Sequence, residues 1–468
     1  MKRTLKWLTQ FLDIALRSWR GPLRDLAAGR RWIDRGIVLG YAALTGAIAV
    51  GFTYLAEAAS HLFTQLTSRE LFGPYFALVL SPLMTVLILW WTRRFVPGAG
   101  GSGIPQVIRA LGDDLNPQQA SWLVTLRVSL QKIMLVSGGL FAGLSIGREG
   151  PMVQIGAGVM SHARRWLSKT SVIDSHDLMV AGAAAGIAAA FNTPLGGVIF
   201  AIEQLSRRRG MTHSSIVISC IVLAGLVSVS VFGNLTYFGR LRVQELSWSL
   251  LGPGLMVTIV AGLAGGLFSR LIVVSVRGLP DRFSRLRSLF PLRFAAGCAL
   301  VVATIGIVSG GATSGAGYEP TRAMLEGRAE LPVIFTVLKF CATWLSAWTG
   351  VPAGVFAPSL TIGAGIGHDV AVLADLTADS AIPLIALGMV GFLAATTQGP
   401  LTAFIIVMEM VSGHSMVLSL MACALLACGI ARLITPPMYL ELAALIVPPP
   451  TRAALLDVGL LGHVERQG

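Results

Sequence analysis

One ionisable pair interrupts an apolar stretch of the chain: Arg148 and Glu149 in SIGREGPMVQIGAG, which runs from Ser145 to Gly158. Gly150 loosens the backbone and Pro151 suits a first helical turn, so a helix is expected to start there with free backbone N–H groups. Such a start attracts negative charge through those donors and through the helix dipole. Pro358 after GVFA and Pro105 after GSGI build the same arrangement, and Ser102 adds a hydroxyl to the latter. Three helix starts that favour anions imply a negatively charged ligand. Glu149 lies just ahead of one of them, where its carboxylate competes with a small anion for the same N–H groups. Ionised, it occupies the anion's place; protonated, it leaves. The result is a gate answering to both protons and anions. The plainer reading, that Glu149 caps the helix and pairs with Arg148, carries less weight, because ionisable residues at membrane depth are functional by default.

Composition identifies the elements that hold these residues. Hydrophobic residues make up 54% of the 468-residue chain and charged residues only 13%, against roughly 25% charged in soluble proteins. Apolar stretches of spanning length include Gly36 to Leu55, Pro74 to Trp91, Leu123 to Ile146, Ser214 to Phe232, Leu251 to Phe268 and Phe294 to Ala312. A multi-spanning, all-α membrane protein is expected. The net charge of +13 sits beside those stretches, in RTLKW, RRWIDRG, HARRW and SRRRG. Positive-inside bias explains that placement better than nucleic-acid binding does, and no nucleic-acid partner is expected.

Met1 to Arg35 is basic and partly amphipathic, which reads as a cytoplasmic interfacial helix rather than a signal peptide. The five cysteines, Cys220, Cys298, Cys341, Cys423 and Cys428, lie in apolar segments without metal-type or redox-type spacing. His162, His176, His213, His368 and His414 show no paired ligand spacing, so neither metal nor cofactor is expected. GAGGSG, Gly98 to Gly103, fits a dinucleotide-binding pattern but follows a membrane span rather than a strand, and that reading is rejected.

The chain repeats itself. GREGPMVQIGAG lies over GVFAPSLTIGAG, with Pro151 on Pro358 and Gly156 on Gly363, and Lys132 falls on Lys339 in the same register. FNTPLGGVIFAIEQL lies over TQGPLTAFIIVMEMV, pairing Glu203 with Glu409, and GSGIPQVIRA aligns more loosely with GAGYEPTRAM. These matches predict an interfacial segment 1–31, a first repeat 32–235, a second, inverted repeat 245–440 and a short tail 441–468. Several apolar segments are too short or too broken by Gly and Pro to span alone, and they fall at matching places in the two halves. Discontinuous helices meeting near mid-membrane are the expected result. At the place of Glu149 the second half has Phe356, so only one half brings a titratable group.

GSGIP, GREGP, GVFAP and a late Tyr439 in PPMYLELA, in that order and spacing, closely resemble the CLC chloride channels and proton/chloride exchangers, from about Arg35 to Leu445. The resemblance implies an all-helical inverted repeat with many tilted and broken transmembrane helices. It also implies a homodimer in membrane lipid with one independent pore per subunit. On this resemblance Ser102 and Tyr439 donate hydroxyls to a central chloride, and the backbone N–H groups of Val355 and Phe356 complete the site. Glu149 matches the family's external gating glutamate, and Lys132 a buried lysine that adds positive potential. Serine at the Ser102 position goes with chloride rather than nitrate preference. With about thirty residues after Tyr439, regulatory CBS domains are expected to be absent, as in a bacterial inner-membrane form.

One departure bears on mechanism. The exchangers relay protons through a second, inward-facing glutamate, and the ungapped match puts Gln204 there, with Glu203 one residue earlier. An amide does not take up and release a proton at physiological pH. The expectation is therefore chloride transport gated by Glu149 with weak or absent proton coupling. A coupled antiporter with another proton route is the alternative. Glu203 is expected to face elsewhere, since one residue turns a helix by about 100°, and to share a structural task with Glu409, such as bonding buried backbone groups. A membrane-embedded enzyme on an anionic substrate is the remote alternative, because no nucleophile, base or metal ligand converges with Glu149 in the sequence.

Overall fold

Backbone N–H and C=O groups in lipid can be satisfied only within the segment or by a neighbouring one, and long runs of Leu, Val, Ile and Ala answer this by forming helices. The computed structural model describes residues 29–68, 72–206, 214–233, 248–328 and 331–448. These residues are helical apart from turns and two isolated β-bridges between loops. Nine helical stretches among them are long and apolar enough to cross a membrane, and the protein is a multi-pass, all-α membrane protein.

In chain order the first helices are α1 (Gly29–Leu66), α2 (Ala77–Phe95), α3 (Ile104–Ala110), α4 (Pro117–Leu123), α5 (Leu126–Phe141), α6 (Glu149–His162), α7 (Ser175–Phe191), α8 (Pro194–Phe200) and α9 (Ser214–Phe232). Then follow α10 (Leu251–Arg277), α11 (Arg282–Leu289), α12 (Pro291–Val308), α13 (Tyr318–Leu325), α14 (Ile334–Trp348), α15 (Phe356–Leu373), α16 (Ala378–Thr397), α17 (Pro400–Val411), α18 (Val417–Ile434) and α19 (Met438–Ala444). Most of the expected interfacial segment, all of the expected linker between the halves and most of the tail lie outside the described residues. The described start, Gly29, is already part of α1, which runs without a break past the expected boundary at residue 31. The expected span from Leu123 to Ile146 is shifted toward the amino terminus, to Pro117–Phe141, and has a break near its start: α4 ends at Leu123, Thr125 caps α5 by accepting from the Val128 N–H, and α5 ends at Phe141.

Two helix pairs form the centre, α6 on α7 and α15 on α16. Glycines let them touch backbone to backbone. A Cβ on Gly156 would collide with the Gly182 carbonyl, and one on Gly363 with the Gly388 carbonyl. This is the small-residue packing that brings helices together where lipid supplies no hydrophobic drive. Outward-facing Leu83, Leu418 and Leu433 are exposed, as expected of a surface solvated by acyl chains.

The repeat read from the sequence is present in side-chain bonding. The Lys132 ammonium donates to the Ala99 and Gly101 carbonyls at 3.0 and 2.9 Å, and Lys339 donates to Thr313 and Gly315 at 2.9 and 2.8 Å. The loose match of GSGIP to GAGYEP is therefore a true structural register: each buried lysine ties down the loop leading into a short helix. Asn192 and Gln398, the residues closing α7 and α16, both adopt left-handed backbone conformations, with φ of 58° and 51°. Glu203 and Glu409 are exchanged between halves. Glu203 accepts from the Leu401 and Thr402 N–H groups at 3.0 and 2.8 Å, while Glu409 accepts from Leu195 and Gly196 at 3.2 and 2.7 Å. Each carboxylate caps the proline-led helix of the other half, the shared structural task anticipated for the pair.

Candidate functional site

The three glycine-proline motifs lie far apart in sequence, and short backbone bonds gather them. Gly147 and Gly354 exchange both backbone hydrogen bonds, at 2.7 and 3.0 Å. Gly101 donates to Val351 and accepts from Ala353, at 3.3 and 3.2 Å. The loops entering α3, α6 and α15 thus form one unit. Gly101 and Gly103 have φ of 72° and 107°, which only glycine adopts without strain. The Gln106 side chain holds this turn by accepting from the Gly103 N–H at 2.8 Å and donating to the Gly100 carbonyl.

The helix starts differ slightly from expectation. Helix α6 begins at Glu149 and α15 at Phe356, so Pro151 and Pro358 occupy the third helical position rather than the first. A proline there still removes a donor that a helix start leaves unused, and it leaves the N–H groups of the two preceding residues directed outward. Val355 and Phe356 are buried at the start of α15, with the Phe356 ring 5.2 Å from that of Phe191.

Ser102 lies against this junction: a Cβ added to Gly150 would come within 2.5 Å of the Ser102 hydroxyl and 3.5 Å of the Gly354 Cα. Helix α19 packs on α3 and carries Tyr439 into the same region. The Tyr439 hydroxyl lies beside the Ser102 side chain and within electrostatic range of Glu149. Ser102 is 9% exposed and Tyr439 1%, yet neither hydroxyl has a partner of hydrogen-bond geometry. Buried hydroxyls are nearly always bonded, so these two suit an acceptor that is not part of the protein.

Glu149 is fully buried. Its Oε1 accepts from the Tyr318 hydroxyl and lies 3.9 Å from the Arg148 Nε. Its Oε2 has no partner of hydrogen-bond geometry, although the Ala357 N–H at the start of α15 lies close enough to attract the carboxylate. Arg148 Nη1 donates to the Thr53 carbonyl and to Glu57 on α1, at 3.3 and 3.2 Å. Arg148 thus ties the loop before α6 to α1 through a backbone carbonyl and through a carboxylate partner that sequence reasoning missed. Tyr318 was missed as well. Its only sequence signal was the loose repeat in which GAGYEP lies under GSGIP.

Lys132 is also fully buried, and besides its two loop carbonyls it donates to Gln154 Oε1 at 2.6 Å. These bonds fix the Ser102 loop in place from behind.

The expectation that Glu203 and Gln204 face apart needs correction. Residues Ala201–Leu205 form a π-turn at the end of α8. A Cβ on Gly399 would meet both the Gln204 amide and, at 2.9 Å, Glu203 Oε2. The wider turn changes the angular step between neighbours, so both side chains reach the start of α17. Gln204 is buried and its Nε2 lacks a partner of hydrogen-bond geometry.

Asp174, His176 and Asp177 bring ligand-type atoms within 4.8 Å of one another, a grouping not expected from histidine spacing. Asp174 already serves there as the cap of α7, accepting from the Asp177 N–H at 2.7 Å.

A family model described as voltage gated chloride channel matches residues 84–432. The H(+)/Cl(-) exchange transporter ClcA of Vibrio cholerae serotype O1 is 30% identical over 378 residues, covering 78% of each chain. The ClcA exchanger of Cronobacter sakazakii is 28% identical over 386 residues, or 79% of each. Two solved structures share the fold. A slow cyanobacterial Cl-/H+ antiporter matches with a TM-score of 0.74 at 24% identity, covering 88% of this chain and 97% of that one. A CLC-type fluoride/proton antiporter matches at 0.66 and 20%, covering 86% and 95%. With its inverted repeat of broken helices and a family match across most of its length, the chain belongs to the voltage gated chloride channel, or CLC, family.

Proposed function

We propose that the protein carries chloride across a bacterial inner membrane through a pathway gated by Glu149, with weak or absent proton coupling. The observation that carries this reading is the pair of buried, unpartnered hydroxyls of Ser102 and Tyr439 beside the start of α15. A chloride there exchanges its water for those two donors and for the N–H groups of Val355 and Phe356, so dehydration is offset without a full counter-charge. Lys132 adds positive potential from behind the Ser102 loop. Glu149 reaches the same helix start with its own carboxylate, so anion and gate exclude one another. Protonation removes the carboxylate's attraction to the helix start, and the pathway opens.

Weak coupling is supported at the inner end. Gln204 stands where exchangers of the family have a titrating glutamate, and Glu203 beside it has both oxygens engaged by N–H groups of α17. The relatives, which are H(+)/Cl(-) exchange transporters, favour a second reading, a proton-coupled antiporter with a different proton route. The family's homodimer, with one pore in each subunit, is the assembly we expect in lipid.

Purified protein in liposomes tests both readings. Dissipation of a chloride gradient is expected, with little or no uphill proton movement driven by it. Stoichiometric proton pumping would establish the antiporter instead, and no chloride flux at all would end the transport reading. Replacing Ser102 by Pro is expected to shift the flux ratio from chloride toward nitrate; an unaltered ratio removes Ser102 from the ion's path.

A further inference from the structure

Glu149 is held by a residue from the other half of the molecule. The Tyr318 hydroxyl donates to Glu149 Oε1, and the Tyr318 ring lies under the Arg148 guanidinium, 5.3 Å from its centroid. Tyr318 is the first residue of α13, and the loop before it is fixed at several points. Lys339 donates to the Gly315 carbonyl at 2.8 Å, Thr361 to the Ala316 carbonyl at 3.1 Å and Thr321 to the Gly317 carbonyl at 2.8 Å. The hydroxyl is therefore presented from a rigid support, while the carboxylate it meets has one oxygen without a bonded partner.

The other charged and titratable groups around Glu149 make looser contact. On its own helix, the Arg148 Nε stands 3.9 Å away, and that guanidinium is shared with Glu57 of α1. Tyr439 of α19 acts only through space. Lys132 of α5 and Lys339 of α14 are bonded to loop carbonyls behind the site. From α15 the carboxylate meets backbone N–H alone. Among the described residues, Tyr318 is the one side chain in direct hydrogen-bond contact with Glu149.

We propose that Tyr318 is the latch of the Glu149 gate: its hydroxyl donates to the ionised carboxylate in the closed position and must release it before the pathway opens. The proposal rests on Glu149 being the gate and adds the positioning residue that sets its threshold. A bond to a charged acceptor favours the ionised, closed form. Removing the donor makes closure less favourable, so opening occurs at higher pH. A charge-assisted bond of ordinary strength corresponds to a shift of about one pH unit, or roughly tenfold more flux on the alkaline side of the profile.

The test is chloride efflux from liposomes against pH for the unmodified protein, Tyr318→Phe, Glu149→Gln and the double variant. Phenylalanine keeps the ring under Arg148 and removes the hydroxyl that donates to Glu149. Tyr318→Phe is expected to move the half-activation pH up by about one unit while leaving the acid plateau in place. Glu149→Gln is expected to give a flat profile, and the double variant to match it. A Tyr318→Phe profile superimposed on the unmodified one, with Glu149→Gln flat, overturns the latch and leaves the gate standing. A pH-dependent Glu149→Gln protein overturns the gate itself. A double variant that differs from Glu149→Gln by the factor seen for Tyr318→Phe alone also overturns the latch, because Tyr318 then acts on permeation. Should Tyr318→Phe lose its acid plateau through misfolding, a ring-fluorinated tyrosine at position 318 decides. This stronger donor is expected to move half-activation to lower pH, and no movement refutes the latch.

Discussion

Glu149 and Glu203 are the same residue type, and each addresses the start of a helix in the other half, yet their carboxylates are bonded very differently. Glu203 places both oxygens on adjacent N–H groups of α17, and Glu409 repeats this on α8. Glu149 has one oxygen on a single hydroxyl and the other without a bonded partner. A carboxylate engaged at both oxygens would have to give up two charge-assisted bonds to move, each contributing about 1.5–3 kcal/mol. One with a single direct bond can exchange its position for an anion. The contrast lies in the number of donors aimed at each group; both are glutamates directed at helix starts of the other half.

The contrast can be broken at its outer member most sharply. Glu149→Gln is expected to abolish the pH dependence of chloride flux, seen as a flat efflux profile in liposomes across acid to neutral pH. At the inner member, Gln204→Glu returns a titratable group to the start of α17. A chloride gradient is then expected to drive measurable proton uptake in liposomes, where the unmodified protein is expected to show little. Failure to gain any proton movement would show that the residue at position 204 does not set the coupling. The smallest effect is expected at the paired caps. Glu203→Gln and Glu409→Gln should each lower stability by about 1–3 kcal/mol, since one acceptor oxygen becomes an amide nitrogen facing a donor. Thermal unfolding in detergent measures this, and the pH profile of flux should not change. A changed profile would show that the inner carboxylates are not purely structural.

Much of this contrast was legible in the chain. Gly-Pro breaks at Gly150-Pro151 and before Pro358 marked the helix starts, because both residue types act on backbone conformation locally. The repeat placed Glu203 over Glu409 and Lys132 over Lys339, and equal surroundings gave equal bonding. What escaped sequence reasoning depends on contacts between distant elements. Tyr318 is 169 positions from Glu149, and Glu57 is 91 from Arg148. Neither carries a local pattern that announces its partner. The placement of Gln204 beside Glu203 escaped for a different reason: an angular argument that assumed α-helical spacing met a π-turn.

The exchanged glutamate caps also bear on biosynthesis. The amide of Gly196 waits for an acceptor 213 positions downstream. At 5–20 residues per second of translation this is an interval of roughly 10–40 s. During that time the nascent amino-terminal portion carries uncapped donors at a proline-led helix, in a bilayer that offers nothing to bond them. The bonds that complete this helix start can form only after the carboxyl-terminal portion has emerged, and joining of the two portions is expected to come late in maturation.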